Sequence, residues 1–164
     1  MVQKHLLAGV SLAGLLAAGA SLSGFIGHRE AEAHSGSVFA AGEPGDPSKG
    51  NRRVLITMRE ADGKMTFDPA RIEARLGEQV RFVLTNAGLL DHEFLLDSFE
   101  NNAKHKKEME KNPEMEHDDP NGKRVATKKS AEILWRFTKR GTFEFACLIP
   151  GHYEAGMKGT IVVK

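Results

Sequence analysis

Apolar residues alternate with polar ones along much of this chain, a period of two that puts successive side chains on opposite faces of a strand. Val54, Ile56 and Met58 interleave with Leu55, Thr57 and Arg59, and Asp62-Gly63 then makes a turn. Met65 to Pro69 is a short extended piece. Ile72, Ala74 and Leu76 alternate with charged residues up to the turn Leu76-Gly77-Glu78. Val80 to Thr85 predicts a further strand with Arg81 outward, ending at Asn86-Ala87-Gly88, and His92 to Leu96 predicts another.

The period then breaks. Residues 97–130 hold eight Asp/Glu and eight Lys/Arg; Ala103 to Lys111 favours helix, and Pro113 and Pro120-Asn121-Gly122 interrupt it. Strands resume at Ala131 to Thr138, with Ile133, Trp135 and Phe137 on one face. After the turn Lys139-Arg140-Gly141, Thr142 to Cys147 sets Phe143, Phe145 and Cys147 on one face, and Gly159 to Val163 closes the chain. Seven to eight short strands with one helical insertion at about 98–129 predict an all-β fold, an antiparallel β-sandwich. The insertion is long for a loop and reads as a helical excursion or a functional element.

The first third carries no such pattern. Lys4 and His5 precede an uncharged apolar run from Leu6 to about Ile26, and Ala31-Glu32-Ala33 fits a small-x-small cleavage site. Residues 1–33 are therefore expected to be a secretory signal peptide, with an uncleaved anchor as the rival reading. Residues 34–51 are rich in Gly, Ser and Pro and are expected to form a flexible lead to a single domain over 52–164.

Charge excludes some classes of partner. A formal net charge of +1 provides no field to draw nucleic acid or a membrane surface. Cysteine usage points the other way, toward chemistry. Cys147 is the one cysteine of a chain that reads as exported, so it has no internal disulfide partner, and metal ligation would protect its thiolate.

Cys147 opens the segment Cys-Leu-Ile-Pro-Gly-His-Tyr-Glu-Ala-Gly-Met, which ends at Met157 just before the last strand. Thiolate, imidazole and thioether are three of the donor types of an electron-transfer copper site, which takes two imidazoles, one thiolate and a weak axial thioether. Pro150-Gly151 bends the segment and Gly156 permits close approach. The second imidazole must come from elsewhere. His92, at a loop-to-strand junction, is the best candidate.

With an upstream His, the approach Gly141-x-Phe143-x-Phe145-x-Cys147 and the downstream His and Met, the chain resembles the cupredoxins, the small blue-copper family of plastocyanin and azurin, over roughly 52–97 and 130–164. The resemblance implies a Greek-key sandwich holding one type 1 copper ion. His92 and His152 would bind through imidazole nitrogen, Cys147 through thiolate and Met157 axially. DHEFLLD, HKKEMEKNPEMEHDDPN and CLIPGHYEAGMKG are together similar to periplasmic cupredoxins linked with copper tolerance.

Two roles follow from this reading: copper tolerance or homeostasis in the periplasm, and one-electron carriage to a redox protein such as a c-type cytochrome. A monomer is expected. No catalytic group, phosphate loop or further His cluster of the multicopper kind is present, so no enzyme is expected. Leu89, Leu90, Ile149 and Pro150 are expected to form an apolar surface near His152. His105, Met109, Met115 and His117 raise a second copper site against the simpler reading of a solvated, charged helix, which is preferred. The terminal His34 left by cleavage is a weaker copper candidate. Glu93 is expected to donate its N–H to the Cys147 sulfur, whereas Pro150 has none to offer.

Overall fold

A computed structural model describes residues 39–113, 115 and 119–164. The expected signal over 1–33, His34 and His117 lie outside the described residues. Along the chain run β1 (Gly42–Pro44), β2 (Arg52–Ala61), β3 (Lys64–Asp68), β4 (Arg71–Ala74), β5 (Gln79–Asn86) and β6 (His92–Asp97). Then come α1 (Phe99–Lys111), β7 (Gly122–Val125), β8 (Ser130–Phe137), β9 (Gly141–Ala146) and β10 (Lys158–Val163).

The strands form two five-stranded sheets, ordered β1-β8-β5-β2-β3 and β4-β10-β9-β6-β7. Alternation decides the inner faces. Val54, Ile56 and Met58 of β2, Phe82 and Leu84 of β5, and Ile133, Trp135 and Phe137 of β8 are buried in one core. Phe94, Leu96, Phe143, Phe145 and Ile161 of the second sheet join that core. Phe145 stacks on Phe94 at 5.1 Å between centroids and meets Phe67 edge-on at 5.2 Å. Each such ring contributes about 1.5–3 kcal/mol on leaving water. The core therefore fixes β6 and β9, which bound the candidate site.

The structure differs from the sequence pattern in three respects. First, there are ten strands among the described residues rather than seven or eight. β1 lies in the segment expected as a lead and pairs with β8, held there by buried Ala41 and by Phe39 edge-on to Trp135 at 5.2 Å. β7 lies in the expected insertion and pairs with β6. Second, each sheet contains a parallel pair, β2–β5 in one and β4–β10 in the other, amid antiparallel neighbours. Short turns announce antiparallel neighbours; parallel pairs join strands distant in sequence, which turns do not reveal.

Third, the helix begins four residues before Ala103. Ser98 caps it, its Oγ accepting the Asn101 N–H at 3.1 Å and so satisfying one of the helix's open donors. α1 buries Met109 with Leu95, Ala146 and Leu148 in a second, small cluster. β9 is thus covered on both faces, with Phe143 and Phe145 toward the sandwich and Ala146 toward the helix cluster.

Candidate metal centre

His92, Cys147 and His152 converge. One ligand atom from each lies within 4.8 Å of the others, and all three residues are buried. His92 Nδ1 is 3.3 Å from His152 Nδ1, and that nitrogen is 3.3 Å from Cys147 Sγ. Three atoms bearing lone pairs at this spacing repel one another unless protons or a metal ion lie among them. Two imidazoles and a thiol are, moreover, the donor set that suits copper. The residues present fit that ion.

Different elements deliver each group. His92 is the first residue of β6, directly after a loop pinned by buried Asn86, whose Nδ2 donates to the carbonyls of Leu90 at 2.7 Å and Val125 at 2.9 Å. Cys147 follows the last residue of β9. His152 lies in the turn between β9 and β10, closed by its own backbone: His152 N–H donates to Ile149 at 3.0 Å and Met157 N–H to His152 at 3.0 Å. Gly151 and Gly156 take φ of +88° and +102°, left-handed values that a side chain would strain. Met157 is fully buried in the main core, its carbonyl accepting the Cys147 N–H at 3.0 Å.

The electrostatics leave all three groups uncharged without metal. Burial pushes the Cys147 thiol up to about 12, opposed by the backbone N–H groups of Glu93 and Ile149. Glu93 N–H lies 3.2 Å from the sulfur, as the sequence predicts. Pro150 indeed offers none, but Ile149 next to it does. Burial lowers the pKa of His92, against the pull of Glu60, and lowers that of His152, aided by His92 nearby. Imidazoles that resist protonation keep their lone pairs available to a metal.

Several contributing side-chain contacts carry no signal in the sequence. Glu93 also accepts the Leu148 N–H at 3.3 Å through its carboxylate, tying the strand of His92 to the loop of Cys147. Buried Glu144 accepts from Tyr153 Oη at 2.9 Å and Asn102 Nδ2 at 3.1 Å, linking β9, the loop and α1. Lys106 of α1 pairs with Glu154 of the loop at 2.7 Å. Glu60 of β2 lies 2.6 Å from His92 Nε2, an ion-pair distance rather than a well-aligned hydrogen bond.

Among the described residues, the His/Cys/Asp/Glu cluster of metal-site geometry is the one at His92, Cys147 and His152, and it includes no insertion residue. Met109 is buried in the small cluster with Leu95, Ala146 and Leu148, and Met115 packs against that cluster. His105 lies one turn earlier on α1, half-buried. Of the expected surface, Leu89 and Leu90 are 78% and 46% exposed and Pro150 is exposed, whereas Ile149 packs partly against the main core.

The family model for copper binding proteins of the plastocyanin/azurin family matches residues 54–164. The chain belongs to that family. A copper-resistant cuproprotein, CopI, of Rubrivivax gelatinosus is 48% identical over 143 residues, covering 84% of this chain and 85% of that protein. CopI of Pseudomonas aeruginosa is 36% identical, covering 92% and 97%. Among solved structures, reduced auracyanin of Roseiflexus castenholzii superposes with a TM-score of 0.59 at 20% identity, over 71% of this chain and 99% of that one. At that identity the likeness shows the fold. The cofactor of this cupredoxin is copper, and its His-Cys-His cluster fits a type 1 site.

Proposed function

We propose that His92, Cys147, His152 and Met157 together hold one copper ion, and that the protein is a redox-active periplasmic cupredoxin contributing to copper tolerance. The convergence of three donor atoms within 4.8 Å in a buried pocket carries this reading. Bound there, copper supplies a one-electron change between Cu(II) and Cu(I). The chain's residues do the rest. Neutral imidazoles offer lone pairs without first losing protons, Glu93 and Ile149 stabilise the thiolate, and the two sheets and α1 exclude water. Four protein ligands leave no open position for substrate, so no catalytic turnover is proposed.

The tolerance role is supported by the 48% and 36% identical relatives, both named copper-resistant cuproproteins. Export is supported by the basic, apolar and Ala-x-Ala order of residues 1–33. A strain lacking the gene is expected to be copper-sensitive while respiring normally. Normal growth on copper would overturn the tolerance role.

A specific feature favours one-electron carriage as a second reading. Leu89 and Leu90 present an exposed apolar pair on the loop that leads into His92, a surface for brief contact with a redox protein such as a c-type cytochrome. Rapid electron exchange with such a cytochrome, lost in Leu89→Asp, is the expected result. Exchange taking minutes would defeat this second reading.

A further inference from the structure

We propose that Glu60 is the positioning residue of His92, held in a cradle of the 86–90 loop so that its carboxylate fixes the ring with Nδ1 unprotonated and turned to the site. This rests on His92 being a copper ligand, as proposed above.

The carboxylate of Glu60 comes from the far end of β2, on the opposite sheet from His92. It lies 2.6 Å from Nε2 of His92. The same carboxylate accepts the N–H groups of Leu89 at 2.8 Å and Leu90 at 3.1 Å. The loop is shaped to admit it. A Cβ on Gly88 would stand 2.5 Å from both Glu60 oxygens, so only glycine leaves the space. Asn86 completes the loop by accepting the Gly88 N–H at 2.9 Å, and Ala87 N–H donates to Met58 of β2 at 2.9 Å.

Imidazole is protonated on one nitrogen when neutral, and the partner of the other nitrogen decides which. An anionic oxygen 2.6 Å from Nε2, though off the line of a hydrogen bond, favours the proton there by its charge and leaves the Nδ1 lone pair free. That nitrogen is the one 3.3 Å from His152 and facing the cluster. A carboxylate against the outer nitrogen also makes the ring a stronger electron donor to a metal, and removing such partners typically weakens metal binding about 10- to 100-fold.

Two variants test the assignment. Glu60→Gln keeps the shape and removes the charge. Gly88→Ala keeps the charge and displaces the flexible end of Glu60, so a folding failure in one does not silence the other. The readouts are the His92 tautomer in the metal-free protein, from long-range proton–nitrogen NMR spectra, and Cu(II) affinity by competition with a chelator. The wild-type ring is expected to be protonated at Nε2 alone. Both variants are expected to show mixed tautomers and a 10- to 100-fold weaker Cu(II) affinity. An unchanged tautomer with affinity within about twofold in both variants overturns the proposal. Mixed tautomers in both variants with Cu(II) affinity within about twofold of wild type support the positioning role while overturning His92 as a ligand.

Discussion

The two histidines of the cluster stand 3.3 Å apart at Nδ1, yet the fold holds them by different means. His92 belongs to a strand with neighbours on both edges, β7 on one and β9 on the other, and it has no exposed surface. Its loop is tied down by Asn86 and Glu60. His152 belongs to a turn with two left-handed glycines and is 8% exposed. α1 braces that turn through Met109 under Leu148, Asn102 bonded to the Glu144 carboxylate that also accepts from Tyr153, and the Lys106–Glu154 pair. One ligand is thus set by the sandwich, the other by a loop that the inserted helix braces. The insertion consequently has a structural task whether or not it binds metal.

The difference is broken most severely by emptying the brace. Met109→Ala is expected to cost about 2–5 kcal/mol, as a buried large-to-small change does. The amides of Cys147–Met157 should then exchange faster with solvent than those of β6. A loss under about 1 kcal/mol by denaturant unfolding would show that the helix is not a brace.

The cysteine shared by both halves gives the next effect, in the metal-free protein. Its pKa rises from 9 in the unfolded chain to about 12 in the folded one. Below pH 9 both states hold the thiol proton and stability is at its full value. Above it the unfolded chain loses the proton first, so stability falls with rising pH, by about 1 kcal/mol per unit until the folded thiol also ionises. Cys147→Ser should flatten that slope. A slope equal to the wild type's would place its origin elsewhere.

The smallest effect belongs to the outermost contact. Lys106→Ala removes the link to Glu154, but exposed ion pairs contribute little, and no resolvable change in Tm is expected. A drop of several degrees would mean that the charge pair, rather than Met109, secures the loop.

Legibility in the sequence followed the same division. Cys147, His152 and Met157 are close in the chain, so strand, loop and strand could be read from local pattern, and the structure brings Cys147 and His152 together with His92. His92 stands at a loop-to-strand boundary, which alternation marks well. Glu60 was not legible, because its approach to His92 requires the packing of two sheets and the parallel pairing of β2 with β5. β1 has no signature in the sequence, because three residues of Gly-Glu-Pro show no period; burial of Ala41 and the Phe39–Trp135 contact hold it against β8. Helical spacing beside His105 says nothing of what lies beneath Met109, which packs on Ala146, the last residue of β9, and on Leu148 just beyond it.

We propose that a thiolate and two imidazoles of this chain close around one copper ion. The visible and EPR spectra of the copper-loaded protein, recorded beside Cys147→Ser, test it most directly. Strong thiolate-to-copper absorption with a stoichiometry of one, abolished in the serine variant, is the predicted result. No such band, or a band that survives Cys147→Ser, would contradict it.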